Sequence, residues 1–270
     1  MVGRLDIDHG ASAQAPMKRD LLRPSWLLAH LGVATLAVVF VALGLWQLDR
    51  HREKVADNEV GATRIAAAPV PLADLLETNA EPNSLRYQRV LVEGAFDPDR
   101  EVLIRSQVHL GFAGFHVVTP LVTGDGSAVL VNRGWVPLVL DSVPVDQASP
   151  PEGVVAVEGW VEPSRERGAF GPTDPPTGRL QIVSRVDIER IEAQVGYRLA
   201  PVYLVMTGGG EGVLPEPVKP PAFTDDGPHL GYAIQWFGFA LIGLVGYWFL
   251  IRRRLRQGQA TANASSSTTS

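Results

Sequence analysis

An uncharged apolar segment near the carboxyl end constrains this chain more than any other feature. Residues 229–251, 23 in all, contain no Asp, Glu, Lys or Arg, and a basic cluster follows them: Arg252, Arg253, Arg254 and Arg256. About 20 apolar helical residues, rising 1.5 Å each, cross the roughly 30 Å hydrocarbon core of a bilayer. The segment therefore predicts a transmembrane helix with a basic tail.

A second segment with the same character lies near the amino end. Residues 25–48 contain one ionisable side chain, His30, and Trp26 and Trp46 lie near the two ends, where indole rings favour the membrane interface. The alternative is a secretory signal peptide, because residues 42–44 resemble a small-residue cleavage site. Since the apolar core of a signal peptide is about 7–15 residues long, the longer run favours an uncleaved membrane anchor.

The distribution of basic residues predicts the orientation of these two spans. The flanks of the first span are nearly balanced, whereas the second is followed by four Arg and preceded nearby only by Lys219. Basic residues favour the cytoplasmic side, and two spans bring both termini to the same side. We therefore expect a plasma-membrane protein with both termini in the cytoplasm and residues 49–228 outside the cytoplasm.

The charge of each region limits its partners. Residues 49–228 carry 16 Lys or Arg and 26 Asp or Glu, a net charge of −10. A domain of this charge is a poor nucleic-acid binder. Residues 252–270 carry four Arg and no acidic residue, which favours contact with membrane lipid.

The residues available for catalysis or metal binding are few. The chain has no Cys, which excludes disulfides, zinc–thiolate sites and a cysteine nucleophile. The His residues outside the amino-terminal lead show no HExxH, GxSxG or SxxK context. We therefore expect a protein that is not an enzyme and has no catalytic residues.

Between the spans, the alternation of apolar residues predicts a sheet-rich α+β domain. A charged stretch, residues 49–59, is expected to extend the first helix. Short helices are predicted at 72–78 and 187–195, and a Pro/Gly-rich linker at 207–228. The lead, residues 1–24, and the basic tail, residues 252–270, are expected to lack fixed structure. The predicted strands cover residues 87–92, 101–106, 115–122, 128–136, 154–161, 180–184 and 202–206.

Polar and aromatic residues gather where the two spans meet the outer interface. Helical spacing places His229 and Trp236 on one side of the second span, beside Tyr232 and Gln235. Two residues of the first span, Trp46 and Gln47, lie at the same level. An imidazole among amides and aromatic rings suits a haem, with His229 as ligand to the iron. The alternative is an ordinary aromatic belt with a His that caps a helix or meets headgroups.

Two further features of the spans concern helix packing. His30, near the cytoplasmic face, is expected either to snorkel or to bond to a neighbouring helix. Small residues let helices approach closely, so the glycines of the second span are expected to pack against the first span or a membrane partner. Phe237, Phe239 and Phe249 are then expected to face lipid or that partner. The glycines are Gly231, Gly238, Gly243 and Gly246.

Four separated motifs resemble those of one known family. They are GLWQLDR at 44–50, YQRV at 87–90 with GAF at 94–96, NRGWVP at 132–137 and HLGYAIQWF at 229–237. In this order and between two spans, they resemble the surfeit locus protein 1 family over nearly the whole chain. The resemblance implies a membrane-bound factor that helps to assemble haem-copper cytochrome c oxidase.

The resemblance also implies a cofactor and partners. It implies that haem a is bound and presented to the haem-bearing subunit of the oxidase, with His229 as ligand and with Tyr232 and Trp236 flanking the ring. One alternative is a permanent accessory subunit of the oxidase or of a respiratory supercomplex. A two-span extracytoplasmic sensor or binding module is a further alternative, disfavoured by the short cytoplasmic ends.

The motif residues of the outer domain have structural explanations as well. Gly134 is expected to meet a backbone requirement, and Trp135 to lie in the core. Arg133 is expected either to be solvated or to pair with a haem propionate or a partner's carboxylate.

Overall fold

The computed structural model describes residues 23–78, 80–165, 171–210 and 212–267, with side chains up to residue 257. Most of the predicted lead therefore lies outside the described residues. The chain divides into two compact units. We call the first, formed around residues 23–56 and 225–267, the helix pair. The second, residues 57–224, is the barrel domain.

The described residues form four helices and eight strands. In chain order they are α1 (Pro24–Ala66), β1 (Val70–Pro71), α2 (Leu72–Glu77), β2 (Arg89–Phe96), β3 (Val102–His109), β4 (Phe112–Val122), β5 (Ala128–Pro137), β6 (Val154–Pro163), β7 (Ile182–Val183), α3 (Ile188–Val195), β8 (Leu199–Met206) and α4 (His229–Ser267). The α+β class predicted from the sequence is confirmed.

Both helices of the helix pair are long and apolar enough to cross a membrane. They run antiparallel, because later residues of α1 contact earlier residues of α4. His30 contacts Tyr247, and the ring of Phe40 stacks on that of Trp236 at a centroid distance of 5.6 Å. Near the other end, Gln47 meets the first residue of α4. The two segments thus form an antiparallel pair of helices.

The helix ends differ from the sequence prediction at one place. Helix α1 extends through the charged stretch 49–59, as predicted, and ends at Ala66. Helix α4 does not end at residue 251 but continues to Ser267, so the prediction of a disordered tail is wrong over residues 252–267. Arg, Gln and Ala are strong helix formers and dominate the first part of this tail, so the membrane helix continues through them.

Five strands of the barrel domain close on themselves. The sheet order is β1-β2-β6-β8-β5-β4-β3-β7, and a further antiparallel pairing joins β2 to β4. This closing pairing has two residue pairs, Ala95 with Val122 and Phe96 with Leu121. A side chain on Gly94 would place its Cβ 2.5 Å from the carbonyl oxygen of Val122. Glycine at this motif position therefore permits the strands to meet and the barrel to close.

Alternate residues of the five strands fill the barrel. Because successive side chains of a strand point to opposite faces, a buried cluster that draws alternate residues from every strand marks the interior. Helix α2 adds Leu72 and Leu75 to this cluster. Its strand members are Val90, Val92, Leu121, Val129, Val131, Val157, Val161, Val202 and Leu204.

Helix α3 covers part of the outer face of the barrel. Its residues Ile188, Ile191 and Val195, at spacings of three and four, pack into a second cluster with Leu130 and Tyr203. At its start, the side chain of Asp187 accepts a hydrogen bond from the Arg190 amide, at 3.1 Å. The helix ends at Gly196, whose φ of +85° suits glycine. This element matches the helix predicted at 187–195.

Each predicted strand overlaps an observed one. The largest difference is β7, which contains only two residues where five were predicted. It pairs parallel to β3 through Leu103 and Ile104. The predicted linker at 207–228 also contacts the barrel domain: the backbones of Glu216 and Trp135 exchange hydrogen bonds of 2.8 and 2.7 Å.

Candidate functional site

The helix pair brings two of the predicted site residues into direct contact. Nδ1 of His229 lies 2.9 Å from Oε1 of Gln47, so the first residue of α4 is bonded to α1 across 182 positions of sequence. Both side chains are half-buried. The prediction that these residues occupy one level of the two spans agrees with this contact.

This hydrogen bond determines which nitrogen of His229 is available. An amide oxygen only accepts hydrogen bonds, so in the neutral imidazole Nδ1 carries the hydrogen and Nε2 has the lone pair. The neighbouring Gly227 has a φ of +72°, and a Cβ there would lie 3.4 Å from Nε2. Because glycine lacks that atom, Nε2 keeps one side uncovered. The arrangement resembles metal-binding histidines, whose second nitrogen is held by an oxygen.

The other predicted site residues differ in how exposed their side chains are. Tyr232, Gln235 and Trp46 are exposed beside the His229 level, with Tyr232 48% and Trp46 53% accessible. Trp236 is half-buried instead. Its ring stacks on Phe40 and meets Phe239 edge-on, at 5.8 Å. Three side chains are therefore open to a ligand or to lipid, whereas Trp236 takes part in helix packing.

The opposite end of the helix pair contains His30. Nδ1 of His30 is hydrogen-bonded to the hydroxyl of Tyr247 on α4. The rings meet edge-on, with centroids 5.6 Å apart. Of the two predicted possibilities for His30, the bond to a neighbouring helix is the one that the structure contains.

The close approach of the two helices depends on a glycine of the first span. A Cβ on Gly44 would lie 2.6 Å from the ring of Phe237, so this ring fits against α1 only because the side chain is missing. The prediction that Phe237 faces lipid or a partner is therefore wrong. The glycines of the second span do not serve this contact, because a Cβ on any of them would meet no atom within 4 Å.

Two motif residues of the barrel domain have the structural roles predicted for them. Gly134 has a φ of +140°, and a Cβ there would lie 2.3 Å from the carbonyl oxygen of Glu216. Trp135 is 8% exposed and packs its ring against His109 at 5.4 Å. The backbone requirement at Gly134 and the core position of Trp135 are both confirmed.

Arg133 is buried rather than available to an external carboxylate. Its guanidinium bonds to Glu101 Oε2 at 2.7 Å, to Thr119 Oγ1 at 2.8 Å and to the Ala148 carbonyl at 2.6 Å. Glu101 also accepts hydrogen bonds from Thr119 Oγ1, at 2.6 Å, and from the Val145 amide, at 3.0 Å. We call these five residues the Arg133 network. Both predicted possibilities for Arg133, solvation and an external carboxylate, are wrong.

Sequence reasoning missed a cavity on the barrel domain. It has a volume of about 260 Å³ and is lined by cationic, neutral polar and apolar side chains. Its members come from strands and loops between residues 86 and 221, so no local motif marks it. The sequence feature that could have indicated this cavity was the number of Arg residues in the loops of an otherwise acidic domain.

Comparison with known proteins gives one consistent result. The sequence model of the SURF1 family matches residues 34–241, from within the first apolar segment into the second. This match includes the barrel domain together with Gln47 and His229.

Individual relatives come from bacteria and eukaryotes. A SURF1-like protein of Mycobacterium tuberculosis is 32% identical over 247 residues, which cover 89% of each chain. A SURF1-like protein of Rickettsia felis is 25% identical over 224 residues, 80% of this chain and 93% of its own. Surfeit locus protein 1 of Arabidopsis thaliana is 36% identical over 111 residues, 37% of this chain and 31% of its own.

Proposed function

This chain belongs to the SURF1 family, and on that premise we propose that it is a membrane-anchored assembly factor for haem-copper cytochrome c oxidase. The observation that carries the proposal is the family match over residues 34–241, which runs from within the first apolar helix into the second and includes the domain between them. The partner that follows is the haem-bearing subunit of the oxidase. The chain's part in this process is binding and presentation, without turnover of a substrate.

We further propose that His229 is a ligand to the iron of haem a. The residues fit this group, because Nδ1 is bonded to Gln47 and Nε2 keeps its lone pair beside Gly227. Bound haem would supply an iron centre that takes an imidazole nitrogen as axial ligand. Gln47 orients the imidazole, and the exposed side chains of Tyr232 and Trp46 offer aromatic surface at the same level.

Haem titration of the full-length protein in mild detergent tests this role. We expect a Soret band that His229→Ala largely removes. Gln47→Leu should weaken haem affinity by roughly 10–100-fold, the usual effect of losing the group that orients a metal-binding histidine. His30→Ala is the matched control, because His30 lies on the same helix pair but bonds to Tyr247. Equal loss in the His30 and His229 variants would remove His229 as the ligand.

The proposed orientation places both termini in the cytoplasm of a bacterial cell and the barrel domain outside it. The basic cluster after the second span supports this orientation. Protease added to intact spheroplasts should cleave within residues 57–224, and a reporter fused to the carboxyl end should stay protected. A protected barrel domain with an accessible carboxyl end would reverse the topology.

Deletion of the gene tests the assembly role itself. We expect the reduced-minus-oxidised spectrum of the membranes to lose its a-type signal and keep its b- and c-type signals. An oxidase purified in mild detergent should then contain this chain at well below equal amounts. Equal amounts in the mature enzyme, with the a-type signal kept after deletion, would instead indicate a permanent accessory subunit.

A further inference from the structure

The cavity on the barrel domain concentrates positive charge. Arg86, Arg165, Arg185 and Lys219 line it, and Glu162 is the only acidic side chain in its wall among the described residues. The surplus is three positive charges, in a region whose net charge is −10. A positively charged cluster in an acidic region requires an explanation in the structure around the cavity.

Glu162 does not balance these cations. Its buried side chain, 7% exposed, accepts a hydrogen bond from Arg86 Nε at 3.0 Å and lies 3.8 Å from Arg165 Nη2. Two guanidinium groups thus share one carboxylate. The nearby Asp174 is already engaged by Arg105, at 2.8 Å, and by two hydrogen bonds from Ser184. Arg185 donates a hydrogen bond to the carbonyl of Pro172, at 2.7 Å, and neither Arg185 nor Lys219 forms an ion pair with Glu162, the carboxylate of the described wall.

The neutral polar groups of the wall also favour an acceptor-rich ligand. The Asn132 amide lies 3.1 Å from Nδ1 of His116 and donates to it, which places the ring hydrogen on Nε2 as a donor. Burial, together with the positive charges of Arg165 and His109, lowers the pKa of His116 to about 4. His116 is therefore a neutral hydrogen-bond donor at physiological pH.

The size of the cavity limits what it can hold. Its volume of about 260 Å³ is below the roughly 300–1,000 Å³ of pockets for drug-sized ligands. The apolar residues Ile104, Trp160 and Val205 also line the cavity. The cavity therefore suits a small anionic group with a short apolar attachment.

We propose that this cavity binds an anionic phosphate group, carried either by a free organic phosphate or by the headgroup of an anionic phospholipid. The negative charge of the phosphate, up to two for a monoester, offsets part of the surplus of three positive charges. Arginine presents paired N–H donors that match the oxygens of phosphate. The ligand would lie among the Arg165, Arg185 and Lys219 side chains.

Titration of the full-length protein with phenyl phosphate, in a non-ionic detergent and followed by calorimetry, tests the proposal. We expect Arg165→Gln and Arg185→Gln each to raise Kd about tenfold or more, since a hydrogen bond to a charged group contributes at least that factor. Arg198→Gln is the matched control, because it removes one charge from an exposed site outside the cavity. The Arg165 side chain is 58% exposed, so its variant should fold, which thermal unfolding would check.

The two sources of phosphate are separated by a second titration. The protein is placed in nanodiscs of phosphatidylcholine or of phosphatidylglycerol. If phosphatidylglycerol abolishes phenyl phosphate binding, the ligand is the headgroup; if both lipids leave it intact, the ligand is a free organic phosphate. Tighter binding of benzoate than of phenyl phosphate would overturn the proposal. So would equal Kd values for the Arg165 and Arg198 variants.

Discussion

Two clusters of arginine and glutamate in the barrel domain have opposite charge balance. In the Arg133 network, one guanidinium meets one carboxylate, and the two side chains are 3% and 0% exposed. In the cavity, two guanidinium groups share Glu162, and the Arg86 and Arg165 side chains are 43% and 58% exposed. The first cluster is closed and balanced, whereas the second is open to solvent and has surplus charge.

The difference indicates which cluster is structural. A buried ion pair with all its hydrogen bonds satisfied supports the fold and leaves nothing for a ligand. A surplus of cations around a cavity costs electrostatic repulsion, which a bound anion relieves. Both clusters contain arginines that look alike in sequence. Burial and pairing, rather than residue type, separate the structural cluster from the proposed binding cluster.

The largest expected effect comes from removing the carboxylate in each cluster. Glu101→Gln leaves Arg133 buried without a partner charge and should lower the free energy of unfolding by about 3–5 kcal/mol. Glu162→Gln should lower it by only about 1 kcal/mol, because Arg86 is partly exposed and can be solvated by water. Urea unfolding followed by tryptophan fluorescence measures both. Similar losses in the two variants would contradict the distinction between the clusters.

An intermediate effect is expected from pH. The pKa of His116 is about 4 in the folded protein, chiefly because of burial, against about 6.5 in an unfolded chain. The unfolded state therefore binds the proton more readily between these values. This contribution to stability is complete above pH 6.5 and declines as the pH falls towards 4, by up to about 3 kcal/mol.

His116→Gln isolates that contribution. The difference in unfolding free energy between pH 7 and pH 4.5 should be smaller in this variant than in the natural chain. Carboxylates titrate in both proteins, so only the difference between the two pH profiles reports on His116. Identical profiles would show that the imidazole is not buried as described.

The smallest expected effect concerns anion affinity. Glu162→Gln removes the only acidic side chain in the described wall of the cavity, so phenyl phosphate should bind roughly three- to tenfold more tightly, about 1 kcal/mol. Glu101→Gln, analysed in the fraction that remains folded, should leave the Kd unchanged. Weaker binding in the Glu162 variant would indicate that the placement of Arg86 and Arg165 matters more than their total charge.

The sequence predicts the local elements of this fold better than the contacts between them. Alternating apolar residues locate the strands, and the spacing of Ile188, Ile191 and Val195 locates α3. The barrel closure was not predicted, because the β2–β4 pairing has only two residue pairs and depends on Gly94. The length of β7 was predicted wrongly for a similar reason. Its pairing with β3 is set by tertiary contacts, which the local sequence pattern does not reveal.

The two candidate sites also differ in how well the sequence predicts them. Counting residues along two antiparallel spans is enough to place Gln47 and His229 at one level. No such rule joins Arg133 to Glu101, 32 positions earlier, so the burial of this pair was missed. The cavity was missed for the same reason, because Arg86 and Arg185 lie far apart in sequence and meet only through the sheet.

The hydrogen bond between Gln47 and His229 also has a consequence for the timing of maturation. Its two partners are 182 residues apart, and a ribosome adds about 5–20 residues per second. The first helix therefore exists for roughly 10–40 seconds before its histidine partner is made. Nascent chains interrupted anywhere in that interval lack an oriented imidazole. The contact that orients His229 would thus arise only in molecules whose translation has passed the entire barrel domain.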